Sequence, residues 1–242
     1  MNIEMYRIFF EIQKKHWWFV TRKNIVLDCI DRYLTRKDHI KVLDIGCGSG
    51  LMLNALAKVG QTFGMDMSDE AISFSKEIFG GRVEKGALPD QVPYQEDFFD
   101  LITALDVIEH VDDDVGSISA IRDLLVPGGK CIFTVPAYMF LWSAHDEMNQ
   151  HKRRYTLPEL NEKLVQAGFT VDKISYYNTL LFPAVFLVRM LNNVLQREGA
   201  SDTDMPGSAM NYVLKKIFGI EKYLLRYFNL PFGVSVLAVV RK

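Results

Sequence analysis

The chain has 242 residues, 49% hydrophobic and 24% charged, enough to bury one sizeable core in a single globular domain. Lys plus Arg number 28 and Asp plus Glu 30, a formal charge of −2 that gives no electrostatic case for nucleic acid as a partner. The three cysteines, Cys29, Cys47 and Cys131, are widely spaced without a CxxC pair, which argues against a disulfide framework or structural zinc and fits a reducing cytoplasm.

The N-terminal MNIEMYRIFFEIQKK carries Glu4 and Glu11 among its apolar residues and lacks the order of a signal peptide. Phe10, Trp17, Val20, Leu27 and Ile30 recur at helical spacing, so residues 4–34 read as one or two amphipathic helices. From residue 41 short apolar runs alternate with helical stretches. KVLDI (41–45) reads as a buried strand, Ser49 to Val59 as a helix, and TFGMD (62–66) as the next strand. Ser68, Asp69 and Glu70 suit a helix start and Gly80-Gly81 its end. RVEKG (82–86) and FDLITALDV (99–107) are strands, Asp112 to Leu125 a helix, and Pro-Gly-Gly (127–129) a turn into the strand KCIFTV (130–135).

Thr156 with Glu159 makes a capping box for a helix ending near Gly168, and FTVDKISYY (169–177) is a strand. Apolar helical material fills 179–197 and 208–228 around the polar EGASDTDMPGS, and GVSVLAVVRK closes the chain as a strand. The run from Leu180 to Val188 is stopped by Arg189 and Asn192, short of the roughly 20 apolar residues a bilayer span needs. The repeated alternation argues for an α/β fold, an open and mostly parallel sheet with helices on both faces. One domain divides into a helical cap (1–38), a core (39–178), an apolar helical insertion (179–230) and a final strand (231–242).

VLDIGCGSG places Gly46, Gly48 and Gly50 after the first strand. A dinucleotide fingerprint needs Gly or Ala at the position of Leu51, which counts against a nicotinamide or flavin. Asp44 adds a charge argument, since a carboxylate two residues before the loop repels a pyrophosphate and attracts a cationic ligand. S-adenosylmethionine has an ammonium, a sulfonium and no phosphate. Asp66 ends the second strand, where its two oxygens can accept from the hydroxyls of a ribose.

The sequence resembles the class I S-adenosylmethionine-dependent methyltransferases. VLDIGCGSG, GMDMS, GALPD, FFDLITALDVIEHV and LLVPGGKCIFTVP match that family's motifs, and together cover about residues 16–178 plus the last strand. The resemblance implies a Rossmann-like, doubly wound sheet of seven strands with the last antiparallel. It places Asp44, Gly46, Cys47 and Gly48 around the methionine part of the cofactor, and Asp66 on the ribose. Met67, Ala87 and Leu88 would line the adenine, with Leu105 and Asp106 facing the methyl donor. The chain departs from the family at Gly86, where an acidic residue is usual. HWWFVTRKN (16–24) is similar to an element of a bacterial subset, in which Trp18 covers the cofactor and Arg22 meets its carboxylate; ordinary packing is the competing reading.

Acceptor atoms differ in whether a base must remove a proton, and His110, His145 and His151 are the candidates. WSAHDEMNQHKRRYT (142–156), following the fifth strand, belongs over the mouth of the sheet, where Arg154 and Tyr155 suit an anionic or hydroxylated acceptor. His145 and His151 frame H-D-x-x-x-x-H, which matches no firm ligand spacing, so no metal is expected. The insertion reads as helices closing the core or forming a homodimer face. Its other reading is a lid over a small-molecule or lipid-linked acceptor, resting on membrane through Lys215, Lys216, Lys222 and Arg226. The expected function is methyl transfer to oxygen or carbon by a cytoplasmic enzyme, at most peripheral at the membrane; the alternative is a non-catalytic S-adenosylmethionine sensor or partner subunit.

Overall fold

The computed structural model describes residues 3–34, 38–195 and 205–242. Most of EGASDTDMPGS, and residues 35–37 at the edge of the cap, lie outside the described residues. The apolar runs form β1 (Lys41–Ile45), β2 (Gln61–Asp66), β3 (Arg82–Lys85), β4 (Phe99–Leu105), β5 (Leu125–Pro136), β6 (Thr170–Tyr177) and β7 (Ser235–Arg241). They make one seven-stranded sheet in the order β3-β2-β1-β4-β5-β7-β6. β7 runs antiparallel to both neighbours and the other six strands share one direction. The strand order reverses between β1 and β4, which opens a crevice at their C-terminal ends.

Both faces of the sheet are covered, so its central strands are apolar at successive positions. Leu43, Ile45, Phe99 and Phe133 pack with Ile118 and Ile121 of α5 (Asp114–Leu124) and Leu160 and Leu164 of α7 (Leu157–Gln166). On the other face Val42, Leu101, Ile132 and Val239 pack with Ile25, Val26 and Ile30 of α2 (Trp17–Tyr33) and Phe218 of α9 (Ser208–Leu224). α1 (Ile3–Gln13) lies on α4 (Asp69–Phe79) through Tyr6, Phe10 and Phe74. The local signals hold where backbone chemistry is self-contained. Ser68 caps α4 by accepting from Ala71 N–H and Gly80 ends it at φ 64°, and Thr156 with Glu159 forms the full capping box of α7.

Three connections differ from the sequence reading. The helix expected over 49–59 is shorter, α3 (Leu51–Leu56). Pro127-Gly128-Gly129 lies inside β5 as an irregularity, because Leu125 already pairs with Phe99 before Lys130 resumes pairing at Leu101. β4 stops at Leu105, since Asp106 adopts φ 58°, and a single 3-10 turn at Ile108–His110 follows. The loop after β5 contains α6 (Ala144–Met148), entered by a Ser143/Asp146 capping box.

The insertion closes the core on one side, with α9 against α2. Phe218 is fully buried and stacks on Trp18 at 5.3 Å and Tyr177 at 6.0 Å, with Trp17 edge-on at 5.8 Å. α8 (Phe182–Leu195) precedes it. Truncating Phe218 to Ala leaves a hole between cap, sheet and insertion that they cannot all collapse into. The expected loss is about 3–5 kcal/mol, read from the midpoint of urea unfolding with an unchanged slope.

Candidate active site

A cavity of about 420 Å³ lies at the C-terminal ends of the central strands. Its first part is the glycine loop after β1. Asp44 is 3% exposed and accepts from the Thr103 hydroxyl of β4 at 2.6 Å. Burial pushes its pKa up to about 7, against the lowering effect of that hydrogen bond and of Arg22. Gly46 turns the loop at φ 67°, where a Cβ would stand 2.7 Å from Val107 Cγ2. Gly46, Cys47 and Gly48 all line the cavity, and the Cys47 thiol is buried.

Leu105, Asp106, Trp18 and Arg22 line the same space. Arg22 forms an ion pair with Asp106, whose other oxygen accepts from the Thr134 hydroxyl at 2.9 Å. Trp18 is half-buried; it lines the cavity and stacks on Phe218 and Tyr177. Tyr6, Phe9 and Gln13 of α1 add a roof, and Gln13 accepts from the Ser49 hydroxyl of the glycine loop.

Four of the residues read from the sequence stand outside this cavity, at the ends of β2 and β3. Asp66 accepts from Gly48 N–H at 2.8 Å and Ser68 N–H at 3.0 Å, one on each oxygen, so it ties the loop to the start of α4. Met67 is 72% exposed. Ala87 exchanges two backbone hydrogen bonds of 2.9 Å with Gln91, and Leu88 packs against the core. The departure at Gly86 has a steric cause. A Cβ there would lie 2.6 Å from Pro93 Cδ and 2.7 Å from Met65 Sδ, so no acidic side chain fits.

The second part of the cavity is polar and gathers all three candidate histidines. Asp146 of α6 is fully buried, with Arg154 Nε at 2.8 Å, Arg154 Nη2 at 2.9 Å and Ser143 N–H at 2.9 Å. Burial alone would raise its pKa, but the hydrogen bonds from His151 and Arg154 hold it well below the carboxylate range. An ionised Asp146 only accepts, so the 2.8 Å contact to His151 Nδ1 places the imidazole proton on Nδ1 and leaves Nε2 as the acceptor. His110 stands edge-on to His151 with ring centres 4.7 Å apart, its pKa lowered by burial and by that neighbour. His145 is farther out, with its ring centre 6.2 Å from that of His151 and Nε2 3.2 Å from Asn149 Nδ2. Tyr155 leaves the site: its hydroxyl donates to Asp114 at 2.9 Å in the core.

Three residues of this part were not singled out as site residues in the sequence. Glu109, the acid of the EHV motif, is 0% exposed, and neither carboxylate oxygen has a hydrogen-bond partner among the described residues. Burial, then the charge of Asp106, raises its pKa well above the carboxylate range. Arg189 of α8, read as the residue that stops an apolar run, is buried in the wall and donates to Leu141 O at 2.6 Å. Asn178 lines the cavity at φ 58°. Asp106, Tyr138 and Asn178 carry positive φ just after β4, β5 and β6, so non-glycine backbone strain collects at this edge of the sheet.

The Methyltransferase domain family matches residues 19–174. A ubiquinone biosynthesis O-methyltransferase of Psychrobacter arcticus is 28% identical over 167 residues, 58% of this chain and 63% of that protein. One of Stutzerimonas stutzeri is 35% identical over 103 residues, 39% of this chain and 43% of that protein. The matched region thus spans about half the length of these curated relatives. Among solved structures, an S-adenosylmethionine-dependent methyltransferase from Archaeoglobus fulgidus has a TM-score of 0.57 at 18% identity, covering 91% of this chain and 94% of that one. Phosphoethanolamine N-methyltransferase 2 of Haemonchus contortus, in complex with S-adenosyl-L-methionine, has a TM-score of 0.58 at 18% identity, covering 89% of this chain and 51% of that one. With its glycine loop, its strand order and the match over most of its core, the chain belongs to the methyltransferase domain family.

Proposed function

We propose that the protein methylates a hydroxyl oxygen of a small apolar or lipid-linked acceptor. The carrying observation is that one cavity runs from Asp44 and the glycine loop to the Glu109, His110 and His151 cluster. S-adenosylmethionine supplies an electrophilic methyl group on a sulfonium. Asp44 offers its carboxylate to the ligand's positive charges, and the bare loop at Gly46 and Gly48 leaves room for its methionine part. Asp66, with each oxygen using one lone pair on backbone, retains others for the ribose hydroxyls. Trp18 and Leu105 line the same cavity and supply it with apolar surface against which an acceptor can be positioned for in-line attack. The polar cluster assists loss of the hydroxyl proton. The O-methyltransferase names of the relatives support oxygen as the acceptor atom.

Access supports an apolar acceptor. Val185 and Arg189 of α8 face the cavity, while Phe186, Leu187, Val188, Met190 and Leu191 of the same helix are exposed. Phe140, also exposed, adjoins Phe186 at 6.0 Å. A patch of this kind marks a binding surface, and here it borders the acceptor half of the site. Of the four cations read as lipid-facing, Lys222 and Arg226 are instead paired with Asp28 of α2. No helix among the described residues is long and apolar enough to cross a membrane. The contact we propose is therefore peripheral and made chiefly by α8.

Three measurements test this reading. Asp44 must be ionised to hold a cation, and its pKa of about 7 lies above the usual carboxylate value. Affinity for S-adenosylmethionine is expected to rise roughly tenfold per pH unit between about 5.5 and 6.5 as that proton is displaced. Calorimetry on Asp44→Asn should show a flat pH profile and binding about 10- to 100-fold weaker, the range of a charged hydrogen bond. With methyl-labelled S-adenosylmethionine and an extract of the source cells, label should enter the lipid or small-molecule fraction. His151→Ala should cut that transfer by about 10²–10⁴-fold with cofactor affinity unchanged. Cofactor binding with no label in any fraction would point to the sensor instead. Finally, the protein should co-sediment with anionic phospholipid vesicles, and Leu187→Glu with Leu191→Glu should abolish it. Equal sedimentation of that variant would remove α8 as the contact.

A further inference from the structure

We propose that Glu109, His110 and His151 form a binding site for one divalent metal ion of the zinc type, at the acceptor end of the cavity. One ligand atom from each of the three lies within 4.8 Å of the others. The residues come from two connections, 109 and 110 following β4 and 151 following β5. The pair that the sequence presents together, His145 and His151, is not the pair that meets a carboxylate.

Two observations independent of that clustering point to a cation. Glu109 is 0% exposed and lines the cavity with both carboxylate oxygens unpartnered among the described residues. Buried carboxylates without a hydrogen bond are costly and rare, and a metal ion is one of the few groups that satisfies both oxygens in a space closed to side chains. The second is the support behind His151. Its Nδ1 is held by Asp146, which is itself clamped by two Arg154 nitrogens and Ser143 N–H, so Nε2 is the ring nitrogen left to ligate. A carboxylate that fixes the far nitrogen of an imidazole is the usual outer support of a metal-ligating histidine, setting its tautomer and its aim. Two imidazoles and one carboxylate on one side, with the cavity on the other, is the ligand set of a catalytic rather than structural site, because a coordination position stays open.

This proposal rests on the hydroxyl-acceptor reading for its purpose and on the protein alone for its test. A hydroxyl oxygen of the acceptor would take the open position. The ion lowers the hydroxyl's pKa, and its proton passes to solvent. The oxygen lone pair then forms the bond to the methyl carbon as the carbon–sulfur bond breaks, and that pair stays on sulfur. The products are the methyl ether, neutral S-adenosylhomocysteine and one proton, which balances atoms and charge. An acceptor with two neighbouring hydroxyls would chelate the ion and hold the attacking oxygen in place.

The test uses the full chain after chelation and dialysis, titrated with Zn²⁺ by calorimetry and with Co²⁺ by visible absorption. One equivalent is expected, with the Co²⁺ bands of a four- or five-coordinate site. Glu109→Gln, close in shape to the native side chain, should weaken binding at least about 100-fold, and Asp146→Asn about 10- to 100-fold through loss of the outer support. His145→Ala should bind as the parent protein does. Circular dichroism and the thermal midpoint of Glu109→Gln establish that it is folded. Absence of stoichiometric binding, or binding that Glu109→Gln leaves unchanged, overturns the site. Undiminished methyl transfer by the chelated protein overturns its catalytic use while the function proposed above stands. A bound ion without any methyl transfer would leave the site intact and sink that function.

Discussion

Asp44 stands near the end of β1 between β2 and β4, and its carboxylate has little besides the Thr103 hydroxyl to hold it. A group this buried is expensive to ionise, which is why its pKa stands near 7 without a ligand. The fold tolerates the cost because the reversal of strand order puts this one residue beside a crevice. A cationic ligand entering there recovers what burial withheld. Everything else around the loop serves that opening. Asp66 ties Gly48 to the start of α4, and Val107 leaves room only for glycine at position 46. α1 lays Tyr6, Phe9 and Gln13 across the top.

The opposite half of the cavity is organised by another buried carboxylate in the reverse condition. Asp146 is as buried as Asp44 but receives a two-toothed hydrogen bond from Arg154, so it remains ionised and passes orientation on to His151. Glu109, a few residues past β4, has no hydrogen-bond partner on its carboxylate among the described residues. The three acids thus span the range from weakly held to fully paired to unpaired, and their surroundings account for the difference. Only Asp146 has a full cationic partner in hydrogen-bond contact among the described residues.

The insertion joins these halves to the outside. Its α9 gives one face to the core, where Phe218 binds the tryptophans of the cap to Tyr177 at the end of β6. Its α8 gives Val185 and Arg189 to the cavity and larger apolar side chains to solvent. Of the two sequence readings of this segment, core closure describes the inner face of α9, and the exposed apolar face of α8 is what the proposed peripheral contact rests on. Periodicity can divide a helix into faces, but it cannot say what each face meets.

By itself the sequence determined what depends on neighbours along the chain. The strand KVLDI, the Ser68 cap with Gly80, the Thr156 and Glu159 box and the glycine turn each follow from residues within one element or one turn. Alternation of such elements then restricts the architecture to a doubly wound sheet, because parallel strands require crossovers. Only the tertiary structure decided what depends on meeting across the sheet. Arg22 reaches Asp106 from 84 residues away while lining the same cavity. The side chain missing at Gly86 reflects Met65 and Pro93, neither of them adjacent to it in sequence. Glu109 and His151 come close to one another because β4 and β5 are paired and end at one edge. The physical reason is the same in each case: burial and electrostatic partnership are properties of a place in space, and a residue's chemistry is settled by what surrounds it there.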